Sequence, residues 1–180
     1  MSHFSASPTT MCDAIITALA PLGLAAGGSV RKIGRLIGEI EDMEDLNRLI
    51  SFGVPAMMVH YSGTVHLPHL ADGKKWYVER VFNVVCASGN FDSQINRMDD
   101  DSTVLGVESM LDYATYYASI ALIGVTGVIK VKPLGHTPIR HEPTKYVWMA
   151  SVNCMSEMDL YADTPTDVFD DLGIVHSPSD

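Results

Sequence analysis

Between Trp76 and Cys86 the chain alternates. In "WYVERVFNVVC" the residues Trp76, Val78, Phe82, Val84 and Cys86 fall on one side of an extended backbone, broken only by Arg80. The same period of two returns in "YVWMASVNC", where Tyr146, Trp148, Ala150, Val152 and Cys154 share a side. Successive side chains of a strand point to opposite faces. Two such segments therefore require a sheet with one apolar face, and something apolar to lie on it. Phe82 and Trp148, both mid-strand, are the expected core anchors.

The cover comes from segments with a period near 3.6. Val107, Met110, Leu111, Ala114, Tyr117, Ala118, Ala121 and Leu122 make one continuous helical stripe, with Asp101 or Ser102 as the expected cap and Gly124 and Gly127 as the close. An earlier helix is expected from Thr10, with Thr10 as N-cap and Asp13 in a relative of the capping box. Ile15, Ala18, Leu19 and Leu22 form its face, and "PLGLAAGGS" ends it. The segment "VRKIGRLIGEI" reads equally as a helix face or a short hairpin, because Gly34 and Gly38 weaken the helix. A further helix is expected in "EDMEDLNRLISF", with acids in its first turn and Met43, Leu46, Leu49 and Ile50 as its stripe.

A strand is expected in "AMMVHYSG", joined to the strand after Lys75 by a long hinged loop, Thr64 to Lys75, with an Asp72-Gly73 turn. A second polar connection runs from Asn90 to Asp101. A short strand, Val128 to Lys132, precedes a proline-rich loop. The order of elements predicts an α+β fold with a mostly antiparallel sheet and helices packed on one face. The expected organisation is an arm at residues 1–9, one domain at 10–162 and an acidic tail at 163–180. With 180 residues, the chain is long enough to bury one substantial core without metal or disulfide staples.

Three histidines, His60, His66 and His69, lie within ten residues. Their spacing does not match the patterns that set two ligands on one helix face. We expect one strand histidine and two loop histidines rather than a metal site, and no cofactor. His136 and His141 lie in the proline-rich loop. Asp99, Asp100 and Asp101 lack the order of a calcium loop and suit a helix start. No G-x-S-x-G elbow or phosphate-binding loop is present. Cys12, Cys86 and Cys154 are odd in number and form no C-x-x-C pair, which suits free thiols in a reducing compartment. The start "MSHFSASPTT" does not read as a signal peptide, and no apolar run approaches the roughly 20 residues of a membrane span. A formal net charge of −10 opposes broad nucleic-acid binding. These readings point to an interaction or structural protein, not an enzyme.

The succession of segments carries a resemblance. "ALAPLG", "LNRLISFGVPAMMVHYSG", "RVFNVVCASGN", "GVESMLDYATYYASIALIG", "IKVKPLGHTPI" and "KYVWMASVNCMSEMD" follow in order. Pro55-Ala56, Val59, Tyr61, Gly63, Leu111, Asp112 and Pro133-Leu134 support the match, over about residues 12–172. In these features the chain resembles the Mu-like phage tail terminator family. Arg31 to Arg35 and the histidine-bearing segment 64–72 have no counterpart in that pattern. The resemblance implies a ring of copies, expected as a hexamer, on the head-proximal end of the tail tube. It implies partners in the tail tube protein and the head–neck connector, with DNA passing through and not bound specifically, and no membrane. It implies host cytoplasm during assembly and the virion tail afterwards, and it brings no catalytic residue. The expected contact residues, taken from the two polar connections, are His66, His69, Lys74, Lys75, Asp92, Arg97 and Asp99. A head–tail connector or neck adaptor is the neighbouring alternative, and a small metal-dependent hydrolase using the histidines is the distant one.

Overall fold

The structure, a computed structural model, describes residues 6–36, 54–70, 75–88, 105–142 and 145–159. Helix α1 spans Pro8–Leu19 and is followed by two 3-10 turns, Ala20–Leu22 and Leu24–Ala26. Strands β1 (Lys32–Arg35), β2 (Ala56–Leu70) and β3 (Lys75–Ser88) come next. Helix α2 (Val107–Ile123) and strands β4 (Val128–Glu142) and β5 (Lys145–Asp159) complete the described elements. The strands form one sheet in the order β1-β2-β3-β5-β4. All neighbours are antiparallel except β1 and β2, which run parallel. The helices pack against each other, with α1 over β1 and β2 and α2 over β3, β5 and β4. The chain forms the expected α+β fold with a mostly antiparallel sheet and helices on one face.

The alternation sorts the residues as read. Phe82, Val84 and Cys86 of β3 meet Tyr146, Ala150, Val152 and Cys154 of β5 in one core. Met11, Cys12, Ile15 and Leu19 of α1 and Val107, Met110, Leu111, Ala114, Ala118 and Leu122 of α2 cover them. Arg80 keeps the period and is itself buried, so the interruption is one of chemistry and not of geometry. A second cluster, Leu36, Ala56, Met58, Val85, Ala87 and Val147, lies at the alternate positions. Burial on both faces at that end explains the unbroken apolar run from Val84 to Ala87.

Several boundaries differ from expectation. The N-cap of α1 is Ser7, not Thr10: its Oγ accepts the Thr10 N–H at 3.1 Å, and Pro8 sits in the first turn with φ already set. Ala6 is buried, so the expected arm at 1–9 joins the fold from Ala6 onward. Beyond α1, Gly28 is pressed against the chain it turns back on. A Cβ there would lie 2.1 Å from the Leu22 carbonyl oxygen, so only glycine fits. Within "VRKIGRLIGEI", Lys32–Arg35 is neither helix nor hairpin but a short strand pairing Lys32 with Ala56 and Arg35 with Val59. The expected helix at 41–52 lies outside the described residues.

Asp101 and Ser102 also lie outside them, and α2 begins later, with Gly106 as N-cap and no side-chain cap. Leu105 before the cap and Met110 in the first turns both join the core, the positions of a hydrophobic staple. The expected proline-rich loop after Lys132 is instead the continuation of β4. Pro133 and Pro138 sit at register shifts on this edge strand, where a missing N–H costs no ladder bond. The expected loop from Thr64 is likewise β2 continuing to Leu70, with register shifts at Tyr61/Gly63 and His66/Leu70 absorbing Ser62 and Pro68. Of the expected tail, residues 163–180 lie outside the described residues.

Candidate interaction surface

The strand correction relocates the histidines. His60 pairs with Asn83 and His66 with Val78, while His69 falls within the second register shift. All three are strand residues, so the expectation of two loop histidines does not hold. Lys75 pairs with Asp159 across β3 and β5. Lys74, Asp92, Arg97 and Asp99 lie outside the described residues. Among the described residues, no group of three His, Cys, Asp or Glu could hold a metal ion. His136 and His141 lie on β4, opposite Ala150 and Tyr146.

The pairing of β2, β3 and β5 outruns the helix-covered core. On β3 the buried face takes in Val78, Arg80, Phe82, Val84 and Cys86, and on β5 it runs on to Ser156. Pairing continues from Val78 back to Lys75 against β5, and from His66 on to Leu70 against β3. At about 3.3 Å per residue, the three steps from Val78 to Lys75 carry the sheet roughly 10 Å further. On the face away from the helices, β3 and β5 are also hydrogen-bonded between side chains. Asn153 Nδ2 donates to Glu79 Oε2 at 3.0 Å, and Ser151 Oγ donates to Asn83 Oδ1 at 2.8 Å.

An open cleft of about 240 Å³ lies between α2 and the β4–β5 pair, lined by Glu108, Leu111, Asp112, His136 and Trp148. His136 Nε2 is 2.9 Å from Thr115 Oγ1, which ties β4 to the helix. The lining holds two exposed carboxylates and an imidazole but no thiol or serine. Trp148 is half-buried at its wall, shallower than the core anchor the alternation suggested.

The outer side of α2 is apolar too, a feature absent from the sequence expectations. Tyr113, Tyr116, Ile120 and Ile123 are 41%, 59%, 49% and 64% exposed. At about 100° per residue they share one stripe, opposite the buried stripe. Tyr117 holds the aromatic end together, with ring centroids 6.2 Å from Tyr113 and 5.3 Å from Tyr116. The signal was present in "YATYYASIALI", eleven residues without a charge. A surface helix ordinarily turns charged residues to water. Only the inward stripe was read, because a core explains it.

The cysteines behave as core residues. Cys12, Cys86 and Cys154 are free and buried, and burial pushes each thiol up from its ordinary value. Arg80 partly offsets this at Cys154, which stands at about 11. An ordinary thiol titrates at 9.0, so between these values the unfolded chain holds fewer protons than the folded one. Stability is therefore flat with respect to this thiol below about pH 9 and falls as pH rises above it, by up to about 1.4 kcal/mol per pH unit. Urea midpoints measured through this range should decline, and more shallowly in the Cys154→Ala variant.

The chain matches no known family model and no curated protein.

Proposed function

We propose that this chain is a structural subunit of a phage tail, a terminator that caps the head-proximal end of the tail tube. It ends tube growth and forms the surface to which the head joins. The observation that carries this reading is the three-stranded extension of β2, β3 and β5 beyond the helix-covered core. A sheet that outruns its own core offers backbone and side chains to another chain. In this reading His66, His69 and Lys75, which belong to these strands, are contact residues. The succession of segments that resembles the tail terminators supports the same reading.

In this proposal the chain acts with copies of itself, as a ring expected to hold six. A cap matches the rotational symmetry of the tube beneath it, so its contacts run head to tail and close. Each would bury on the order of 1,200–2,000 Å² to be specific and stable. The net charge of −10 per chain gives the ring a surface that DNA passes without sticking, since binding needs Lys and Arg to displace counterions. The tail tube protein lies on one side and the head–neck connector on the other.

Phage particles made without this protein test the reading by electron microscopy. The expected result is tubes of uncontrolled length, or finished tails that never join heads although the heads carry a complete neck. Tails of normal length joined to heads as usual would sink it. Normal, headless tails together with heads lacking a neck would favour the neck-adaptor alternative.

A further inference from the structure

The two edges of the sheet, β1 and β4, carry opposite charge on the side that the helices cover. Arg35 of β1 is on that side. It pairs with Val59 of the helix-covered core, and its Nη2 donates to Thr9 Oγ1 of α1 at 3.4 Å. Arg31, exposed, stands just before the strand. Lys32 alternates to the other face. Helix α1 carries a single charge, Asp13, so cations prevail at this edge although the whole chain is acidic.

At the β4 edge the helix side is acidic. Glu108 and Asp112, one turn apart on α2 and both exposed, line the cleft with Trp148. His136 of the same cleft is engaged with Thr115. Lys130 and Lys132 of β4 do not oppose the carboxylates, because they pair with Met155 and Asn153 on the face away from the helices. A cleft of about 240 Å³ between two carboxylates and an indole has the chemistry of a guanidinium site. The fork of an arginine matches carboxylate oxygens, and its flat face suits an aromatic wall. The basic and acidic patches lie at opposite edges, so one copy cannot join them within itself. A second copy slid along the sheet, without being turned over, keeps both helix layers on one side and brings its β1 beside β4 of the first. β1 and β4 run in opposite directions, so the junction continues the antiparallel order.

We propose that copies of this chain associate head to tail, with Arg31 and Arg35 of one copy against the Glu108–Asp112 cleft of the next. The contact rests on the ring reading, whose interfaces run head to tail, and it names the two surfaces that meet. It uses the two edges of the sheet and leaves the extension of β2, β3 and β5 for the tube.

Sedimentation of the purified full chain over a range of protein and salt concentrations tests the contact. The expected result is self-association that weakens as salt rises, and that Arg31→Glu or Asp112→Arg weakens at least about tenfold. Both positions are exposed, so the urea midpoint of each variant should match the parent at low concentration. A nonspecific charge effect predicts otherwise, because Asp112→Arg lowers the net negative charge and would strengthen association. Mixing the two variants sets each mutated edge against a partner of opposite charge, so the mixture should associate although neither variant does alone. A chain that stays monomeric throughout overturns the proposal, as does a mixture no stronger than its parts. Association undiminished by either substitution overturns it too, and a ring of that kind would leave the terminator reading standing. Association that behaves as expected, in a protein whose absence leaves tails normal and joined to heads, would keep this contact and remove the terminator reading.

Discussion

Replacing Phe82 with alanine should lower stability by about 3–5 kcal/mol, the cost of an aromatic cavity in a packed core. Phe82 has no exposed surface and lies at the middle of β3, paired with Tyr61 on one side and Val152 on the other. Its ring sits 5.4 Å from that of Tyr61 at 41°. Helix α1 and helix α2 both close over the same cluster, so truncation leaves a cavity between the helical layer and the sheet. For a chain of this size the loss corresponds to a drop of about 10 °C in Tm. Trp148→Ala should cost less, although the residue is larger, because Trp148 is half-buried at the wall of an open cleft. Urea unfolding of the two variants checks the order. A larger loss for Trp148→Ala would mean that the cleft is closed by something that buries it.

Arg80 should be the costliest polar position. It is 1% exposed, donates from Nη1 to Ser156 Oγ and reaches Met11 Sδ at 3.8 Å. Burial pulls its guanidinium down from the usual value, against the raising influence of Tyr61 and Cys154. A buried charge in a network is costly to have and costly to break. Arg80→Ala removes both the bonds and the stem that fills the core, so a loss of about 3–5 kcal/mol is expected. Arg80→Met restores most of the volume without the charge and should lose roughly half as much, while Ser156→Ala should lose about 1 kcal/mol. Methionine as damaging as alanine would show that the charge, and not the filled volume, is what this position contributes.

Sequence legibility followed the physics of each segment. β3 and β5 were readable because one face of each meets the helices, and a period of two results. Arg80 looked like a break in that pattern because a long stem can bury its length while its head finds a hydroxyl such as that of Ser156. The ends of β2 and β4 were not readable. Pro68, Pro133, Gly135 and Pro138 are ordinary loop signals, yet bulges and an edge position let each sit in a strand. β1 was ambiguous because four residues are too few to show a period. The α1 start was misplaced by three residues because two hydroxyl residues competed for the cap, and Pro8 decides for Ser7. The outer stripe of α2 was passed over because a helix apolar on both sides satisfies the core reading before its second face is asked about.

The terminator reading is a claim about place, and place can be measured. Antibody or gold labelling of this chain on intact particles, imaged by electron microscopy, should give one band at the head-proximal end of each tail. Label spread along the tail, at its far tip, or missing from finished particles would contradict it.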